Sequence, residues 1–301
     1  MKGKQFNEAN PDTASLRIPD GQTIPYAVLG HPVGHSLSPL LHNTAFAALR
    51  WNAIYLALDV VPERIPDVLP ALEAMGFRGV NLTVPLKEAA YQALSQRDAS
   101  AERVRSVNTV QFTDKGMVGH STDGEGFLRA AREAFGEGPE GRNLFILGTG
   151  GAGRAVALAS AAAGAKNLIL ADADPDRASR AAEEVRAGGW PCGVRVVECG
   201  VSPREARECD WIVQATPVGL QPSDRSPLPL STFRPEHKVF DLVYGRADTP
   251  FTRAARTAGA QAVNGLAMLL YQGIRSFEIW TGHTPPVELL RATLKKAVGE
   301  T

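Results

Sequence analysis

The chain has 301 residues, enough for about two domains of roughly 150 residues each. Hydrophobic residues make up 44% and charged residues 21%, the balance of an ordinary soluble globular protein. Lys plus Arg is 32 and Asp plus Glu is 32, so the net charge is zero, and nucleic acid is not an expected partner because counterion release needs a basic excess. No run approaches the ~18 apolar residues of a membrane helix. Met1 to Gln22 lack the apolar stretch of a signal peptide and read as a leader or capping segment. A cytoplasmic location without membrane contact is expected. Cys192, Cys199 and Cys209 are odd in number and lack a C-x-x-C spacing, so neither a disulfide framework nor a zinc site is expected. None of the 6 histidines sits in an H-E-x-x-H set, and no metal is expected.

Elements follow in chain order. Ile24 to Gly30 reads as a buried strand ending at glycine. Pro39 to Leu49 reads as a helix, with Ser38 as N-cap and Pro39 at its first position. Asn52 to Val60 is a second strand, Pro62 to Met75 a helix closed by Gly76, and Gly79 to Thr83 a third strand stopped by Pro85. Such alternation predicts a parallel or mostly parallel sheet. Ser106 to Gly119 reads as two short strands joined by a turn at Asp114-Lys115-Gly116.

From Arg142 the alternation sharpens. Strands are predicted at Asn143 to Leu147, Asn167 to Ala171, Val194 to Glu198, Trp211 to Ala215 and Lys238 to Val243. Helices fall between them: an alanine-rich one ending at Gly164, then Asp176 to Ala187 and Pro203 to Glu208. Gln221 to Pro229 reads as an exposed loop. A long helix from Leu266 to Thr281 precedes another from Pro286. The fold class is α/β, with a doubly wound, Rossmann-type dinucleotide domain at about 124–263. The substrate domain is discontinuous, 1–123 plus 264–301, its α/β core completed by the C-terminal helices.

Gly148-Thr149-Gly150-Gly151-Ala152-Gly153 fits G-x-G-x-x-G after a predicted strand and before a predicted helix. Glycines there let backbone N–H groups approach a pyrophosphate at the helix N-terminus. Asp172 ends the next strand, near the spacing of roughly 20 residues expected for a carboxylate that binds the adenosine ribose. It would repel a 2′-phosphate. Asp174 and Asp176 follow, and Arg177 is the nearby cation, so NAD is favoured, with NADP the alternative. A blander role for Asp172 is to cap the following helix.

Four polar clusters lie where short strands end. Ser36-Leu37-Ser38-Pro39 places two hydroxyls at a helix start, suited to a small carboxylate. Asn81-Leu82-Thr83-Val84-Pro85-Leu86-Lys87 alternates polar groups on one face and then supplies a lysine. Ser106-Val107-Asn108-Thr109 offers an amide, and His120-Ser121-Thr122-Asp123-Gly124 a carboxylate. Taken singly, each also reads as cap or surface.

Together, and in this order, these runs resemble the signatures of the shikimate dehydrogenase family. The first spans Val28 to Asn43, the second Gly79 to Lys87, then Val107-Asn108-Thr109, then Thr122-Asp123-Gly124. A last one runs from Gly265 to Gly282 with Met268, Gln272 and Trp280. The resemblance implies reversible hydride transfer between a nicotinamide and the ring carbon that bears a hydroxyl in shikimate. It implies that Ser36 and Ser38 hold the substrate carboxylate and that Asn81, Thr83, Asn108, Asp123 and Gln272 bond ring hydroxyls, with Tyr244 also at the substrate. Lys87 and Asp123 would be the acid–base pair. Gly148, Gly150, Gly151, Ala152, Gly153, Asp172, Arg177, Thr216, Gly265 and Met268 would meet the cofactor. Reducing a ketone needs a proton for the developing alkoxide, which a lysine oriented by a carboxylate supplies.

The sequence departs from the family pattern in three places. The Asn-Arg-Thr run of NADP-using members is Asp172-Ala173-Asp174 here, which resembles the NAD-using quinate/shikimate branch. Asn before Thr-Asp-Gly is Ser121. Proline two residues after the tyrosine of Asp-x-x-Tyr is absent, because Tyr244 is followed by Gly245 and Arg246. Two rivals to a shikimate dehydrogenase follow: an NAD-linked quinate dehydrogenase of catabolism, and a non-catalytic ligand sensor. The Ser36-x-Ser38 pair leaves less room for the extra quinate hydroxyl than a smaller residue would, which favours shikimate. Retention of Lys87 and Asp123 disfavours a sensor. A monomer or homodimer is expected.

Overall fold

The structure is a computed structural model and describes residues 18–200, 202–221 and 223–300. Most of the expected leader lies outside these residues. Two compact units divide the chain. One contains the described residues up to Thr122 together with Gly273–Ala297, and the other contains Asp123–Gln272 and the chain end from Val298. The division therefore falls inside the helix that follows Gly265, rather than at residue 264.

In the first unit the order is β1 (Ile24–Gly30), α1 (Ser38–Ala48), β2 (Ala53–Asp59), a 3-10 turn (Pro62–Arg64) leading into α2 (Ile65–Ala74), β3 (Gly79–Leu82), α3 (Lys87–Ala93), β4 (Gln96–Arg97), α4 (Ala99–Val104), β5 (Thr109–Thr113) and β6 (Gly116–His120). The sheet runs β2-β1-β3-β5-β6-β4. β1 is parallel to β2 and β3, but β5 is antiparallel to β3 and to β6. The sheet is thus mostly parallel, with β5 the antiparallel exception, because the expected tight turn at Gly116 joins β5 to β6 and a two-strand hairpin must be antiparallel.

Strand alternation assigns the two faces. Ala27, Leu29, Val80 and Leu82 pack with Ile65, Leu69 and Leu72 of α2. The other face carries Tyr26 against Phe46 of α1 and Trp280, with ring centroids 5.2 and 5.3 Å apart. Gly79 is required there, since a Cβ would collide with the Trp280 indole. His42 lies in this layer, stacked on Tyr55 at 4.4 Å. Its burial lowers the imidazole to about 3, so it is a neutral core ring.

The second unit holds α5 (Asp123–Phe135), β7 (Asn143–Leu147), α6 (Gly151–Ala162), β8 (Asn167–Ala171), α7 (Pro175–Ala187), β9 (Gly193–Val196), α8 (Ser202–Arg207), β10 (Trp211–Gln214), β11 (Lys238–Asp241), α9 (Pro250–Thr257) and β12 (Gln261–Val263). Its sheet is β12-β11-β10-β7-β8-β9, parallel throughout, the doubly wound order expected. The central strands β7, β8 and β10 are buried on both faces, as a sheet covered by helices requires. Leu228 is 1% exposed, so the loop expected at Gln221 to Pro229 is anchored near its end. Helices α10 (Leu266–Thr281) and α11 (Val287–Val298) follow. No described helix is long and apolar enough to cross a membrane.

Candidate active site

In the first unit the polar clusters gather at the C-terminal ends of β1 and β3, the edge where ligands bind in open α/β sheets. Ser38 is not the N-cap of α1. Leu37 takes that position without a side-chain cap, and Ser38 opens the helix. The Ser38 N–H donates to Ser36 Oγ at 3.2 Å, which fixes the two hydroxyls relative to each other. Thr83 follows β3, and its N–H donates to the Leu29 carbonyl at 2.9 Å. A Cβ at Gly30 would crowd the Thr83 methyl, so that glycine makes room for Thr83. Lys87 is the first residue of α3, and its carbonyl accepts from Val107 N at 3.1 Å, which ties it to the run containing Asn108.

Asn81 and Asn108 are both buried. The Tyr55 hydroxyl donates to Asn81 Oδ1 at 2.7 Å. Asn81 Nδ2 donates towards the Asn108 carbonyl, Thr109 Oγ1 and Ser276 Oγ, each at 3.0 Å. An amide has two N–H donors, so protein acceptors use both, and the second lone pair of Oδ1, beside the one that accepts from Tyr55, is what a ligand could use. Sequence reasoning missed Tyr55 and Ser276 here. It also missed Asp98, which lies 2.9 Å from His120 Nδ1.

In the second unit the glycine loop joins β7 to α6. Gly148 has φ +94, a left-handed conformation that favours glycine. A Cβ at Gly153 would overlap the Gly148 carbonyl oxygen, whereas one at Gly150 meets nothing within 4 Å. The close packing needs Gly153, and the outer face at Gly150 is open. Helix α6 has no side-chain cap at its N-terminus. An uncapped helix start behind an open glycine face fits a dinucleotide pyrophosphate. Asp172 Oδ2 accepts from Thr149 N at 2.6 Å and from Thr149 Oγ1 at 3.0 Å, while Oδ1 accepts from Asp174 N at 3.0 Å. Asp174, not Asp172, caps α7. Arg177 Nη1 lies 3.9 Å from Asp172 Oδ1, and Arg154 is paired with Glu184 at 3.6 Å.

The remaining predicted residues in this unit cluster near the loop and the start of α10. A Cβ on Gly148 would press on Ala215 and Thr216. Gly265 N donates to the Val243 carbonyl at 3.0 Å, and a Cβ there would overlap the Leu242 carbonyl. The backbone of Met268 and Gln272 packs on Gly126 of α5, which places these residues with Asp123 in the second unit. Gln272 Nε2 donates to the Leu269 carbonyl at 2.8 Å. Tyr244 follows β11, whose last residue Asp241 accepts from Thr249 Oγ1 at 2.6 Å, from Val243 N at 3.0 Å and from Gln214 Nε2 at 3.2 Å. Burial pushes the Asp241 carboxyl up to about 6. The aspartate of Asp-x-x-Tyr therefore organises the loop. Among the described residues no group of three or more His, Cys, Asp or Glu is placed to hold a metal ion.

A family model described as the shikimate dehydrogenase substrate binding domain matches residues 28–110, and one described as the shikimate 5'-dehydrogenase C-terminal domain matches 265–295. The shikimate dehydrogenase (NADP(+)) of Moorella thermoacetica is 45% identical over 276 residues, covering 91% of this chain and 93% of that protein. The chain belongs to the shikimate dehydrogenase family. As such it is a nicotinamide-dependent oxidoreductase acting on a CH–OH group. Solved relatives agree. Shikimate 5-dehydrogenase from Listeria monocytogenes, in complex with shikimate and NAD, is similar with a TM-score of 0.84 at 33% identity, covering 94% of this chain and 100% of that one. Quinate dehydrogenase from Corynebacterium glutamicum, in complex with NAD, has a TM-score of 0.83 at 29% identity, covering 91% and 99%.

Proposed function

We propose that this enzyme interconverts shikimate and 3-dehydroshikimate, with reduction of the ketone as the biosynthetic direction. The observation that carries this reading is the convergence of Ser36, Ser38, Thr83, Lys87 and Asn108 on one sheet edge, at the ends of β1 and β3 and the start of β5. In this reading Ser36 and Ser38 donate to the substrate carboxylate. Thr83, Asn108, Gln272 and Asn81 Oδ1 meet ring hydroxyls. Lys87 takes the hydroxyl proton on oxidation and returns it to the oxygen on reduction, and Asp123 orients it. The bound nicotinamide supplies the hydride chemistry.

Gly148 to Gly153 would hold the pyrophosphate, with Thr216, Gly265 and Met268 along the rest of the cofactor. NAD is the proposed preference. Asp172 has three hydrogen bonds from the protein and roughly four lone-pair sites, so it keeps an acceptor for the ribose. Its charge repels a 2′-phosphate. Against this stand the relatives named for NADP(+). Steady-state comparison of shikimate with quinate tests the substrate. A higher kcat/KM for shikimate is expected, and a higher value for quinate moves the chain to the quinate branch.

A further inference from the structure

We propose that Asp98 and Ser276 are positioning residues that act through Asp123. This rests on the acid–base reading of Asp123 above. Strand β6 ends at His120 and α5 begins at Asp123, so Ser121 and Thr122 lie outside regular structure. No ladder of backbone hydrogen bonds fixes this link. Side chains do so at Ser121 and Thr122, and also hold His120, the last residue of β6.

On one side stands Asp98. Its Oδ2 pairs with His120 Nδ1 at 2.9 Å, and its Oδ1 accepts from Ser100 Oγ at 2.5 Å, Ser100 N at 2.9 Å and Ala101 N at 3.0 Å. Ser100 Oγ in turn accepts from Ser121 N at 2.8 Å. Partial burial of Asp98 opposes its ionisation, yet the hydrogen bonds from His120 and Ser100 hold the carboxyl below the usual aspartate range. On the other side Thr122 N donates to Asn108 Oδ1 at 2.8 Å, while Asn108 Nδ2 donates to Thr122 Oγ1 at 2.9 Å. Ser276 Oγ lies 2.8 Å from Thr109 Oγ1, 3.0 Å from Asn81 Nδ2 and 3.4 Å from Thr122 Oγ1.

The link is therefore gripped from two directions, and the next peptide bond leads to Asp123. A polar network in which several hydrogen bonds converge on one segment selects one geometry. Acid–base chemistry needs that precision, since a displacement of about 1 Å can cost about 10²-fold in rate. Asp98 and Ser276 touch neither reacting atom in this reading and act only by placement.

The test is a pair of double-mutant cycles in the full chain. Asp98→Ala and Ser276→Ala are made singly and on Asp123→Asn. Each should lower kcat for shikimate about 10- to 100-fold with KM within about threefold. Neither should cost further activity on Asp123→Asn, because the residue acted through is already disabled. Asp98→Asn keeps an oxygen for Ser100 and Ala101 but turns an N–H towards the His120 N–H, and should recover only the part of the loss that runs through Ser100. Amide hydrogen exchange at residues 121–124 should quicken in both alanine variants, a readout that needs no substrate. Equal fractional losses in both backgrounds, or unchanged exchange, overturn the proposal. Full activity in Asp123→Asn alone overturns the acid–base reading as well, so the two failures are distinct.

Discussion

Asp172 accepts both the backbone N–H and the hydroxyl of Thr149, at 2.6 and 3.0 Å, so the carboxylate that ends β8 also braces the glycine loop. In the proposed reading, cofactor choice and loop shape thus share one side chain. The double substitution Asp172→Asn with Ala173→Arg removes the charge, keeps an acceptor for Thr149 and supplies a phosphate-binding guanidinium. The ratio of kcat/KM for NADP+ over NAD+ should rise by at least about tenfold, since a new charge-assisted contact is worth about 1.5–3 kcal/mol. An unmoved ratio would detach cofactor choice from this position.

Lys87 is half-buried at the start of α3, and methionine matches its length without the ammonium. Lys87→Met should keep the melting temperature and lose about 10²- to 10⁴-fold in kcat, the usual range for a missing general acid–base. Undiminished turnover would remove Lys87 from the mechanism.

Ser36→Ala takes away the hydroxyl that accepts from Ser38 N and, in our reading, one donor to the substrate carboxylate. Hydrogen bonds to charged groups are worth about 1.5–3 kcal/mol, so KM for shikimate should rise about 10- to 100-fold. Steady-state titration of shikimate checks this, and KM for the dinucleotide should not follow.

Two glycines of one loop should fail differently. Gly153→Ala forces a Cβ into the Gly148 carbonyl and should cost more than about 3 kcal/mol of stability, seen by denaturant unfolding. Gly150 has φ −63 and open space, so Gly150→Ala should fold normally. In the proposed reading its methyl would stand where the pyrophosphate approaches, and dinucleotide affinity should fall in a fluorescence titration. Normal affinity in Gly150→Ala would move the pyrophosphate elsewhere.

His42 and Asp241 should tilt stability with pH in opposite senses. The His42 imidazole is lowered by burial from 6.5 to about 3, so the unfolded chain binds the extra proton in that window. Its contribution is complete above 6.5 and lost as pH falls. Burial raises Asp241 from 3.8 to about 6, so the folded chain binds the extra proton there. That contribution is complete below 3.8 and lost as pH rises through 6. Relative to the unsubstituted chain, His42→Leu should gain as pH falls from 7 to 4, and Asp241→Asn should gain as it rises. Melting temperatures across that range measure both slopes, and slopes of equal sign would contradict the assignment.

Much of the molecule was legible in its sequence where local chemistry has few solutions. The strand ending at Gly30 and the loop from Gly148 to Gly153 are examples, because backbone conformation and close packing there demand glycine. Helices α3, α4, α5 and α9 were not foreseen. The first two have 7 and 6 residues, too short for an amphipathic period to stand out. The division within α10 was hidden because a helix continues through it without a break in pattern. The Asn81 to Ser276 bond joins residues 195 apart in the chain, a pairing that no spacing rule can anticipate. Asp174 as the cap of α7 was within reach, since Pro175 follows it at the first helical position.

The most direct test is the initial rate of shikimate oxidation, followed by the absorbance of reduced nicotinamide, with NAD+ and NADP+ in parallel. The account predicts turnover with both reactants present, faster with NAD+, and loss of that turnover in Lys87→Met. No turnover with either dinucleotide, in a protein that still binds shikimate and the dinucleotide, would contradict it.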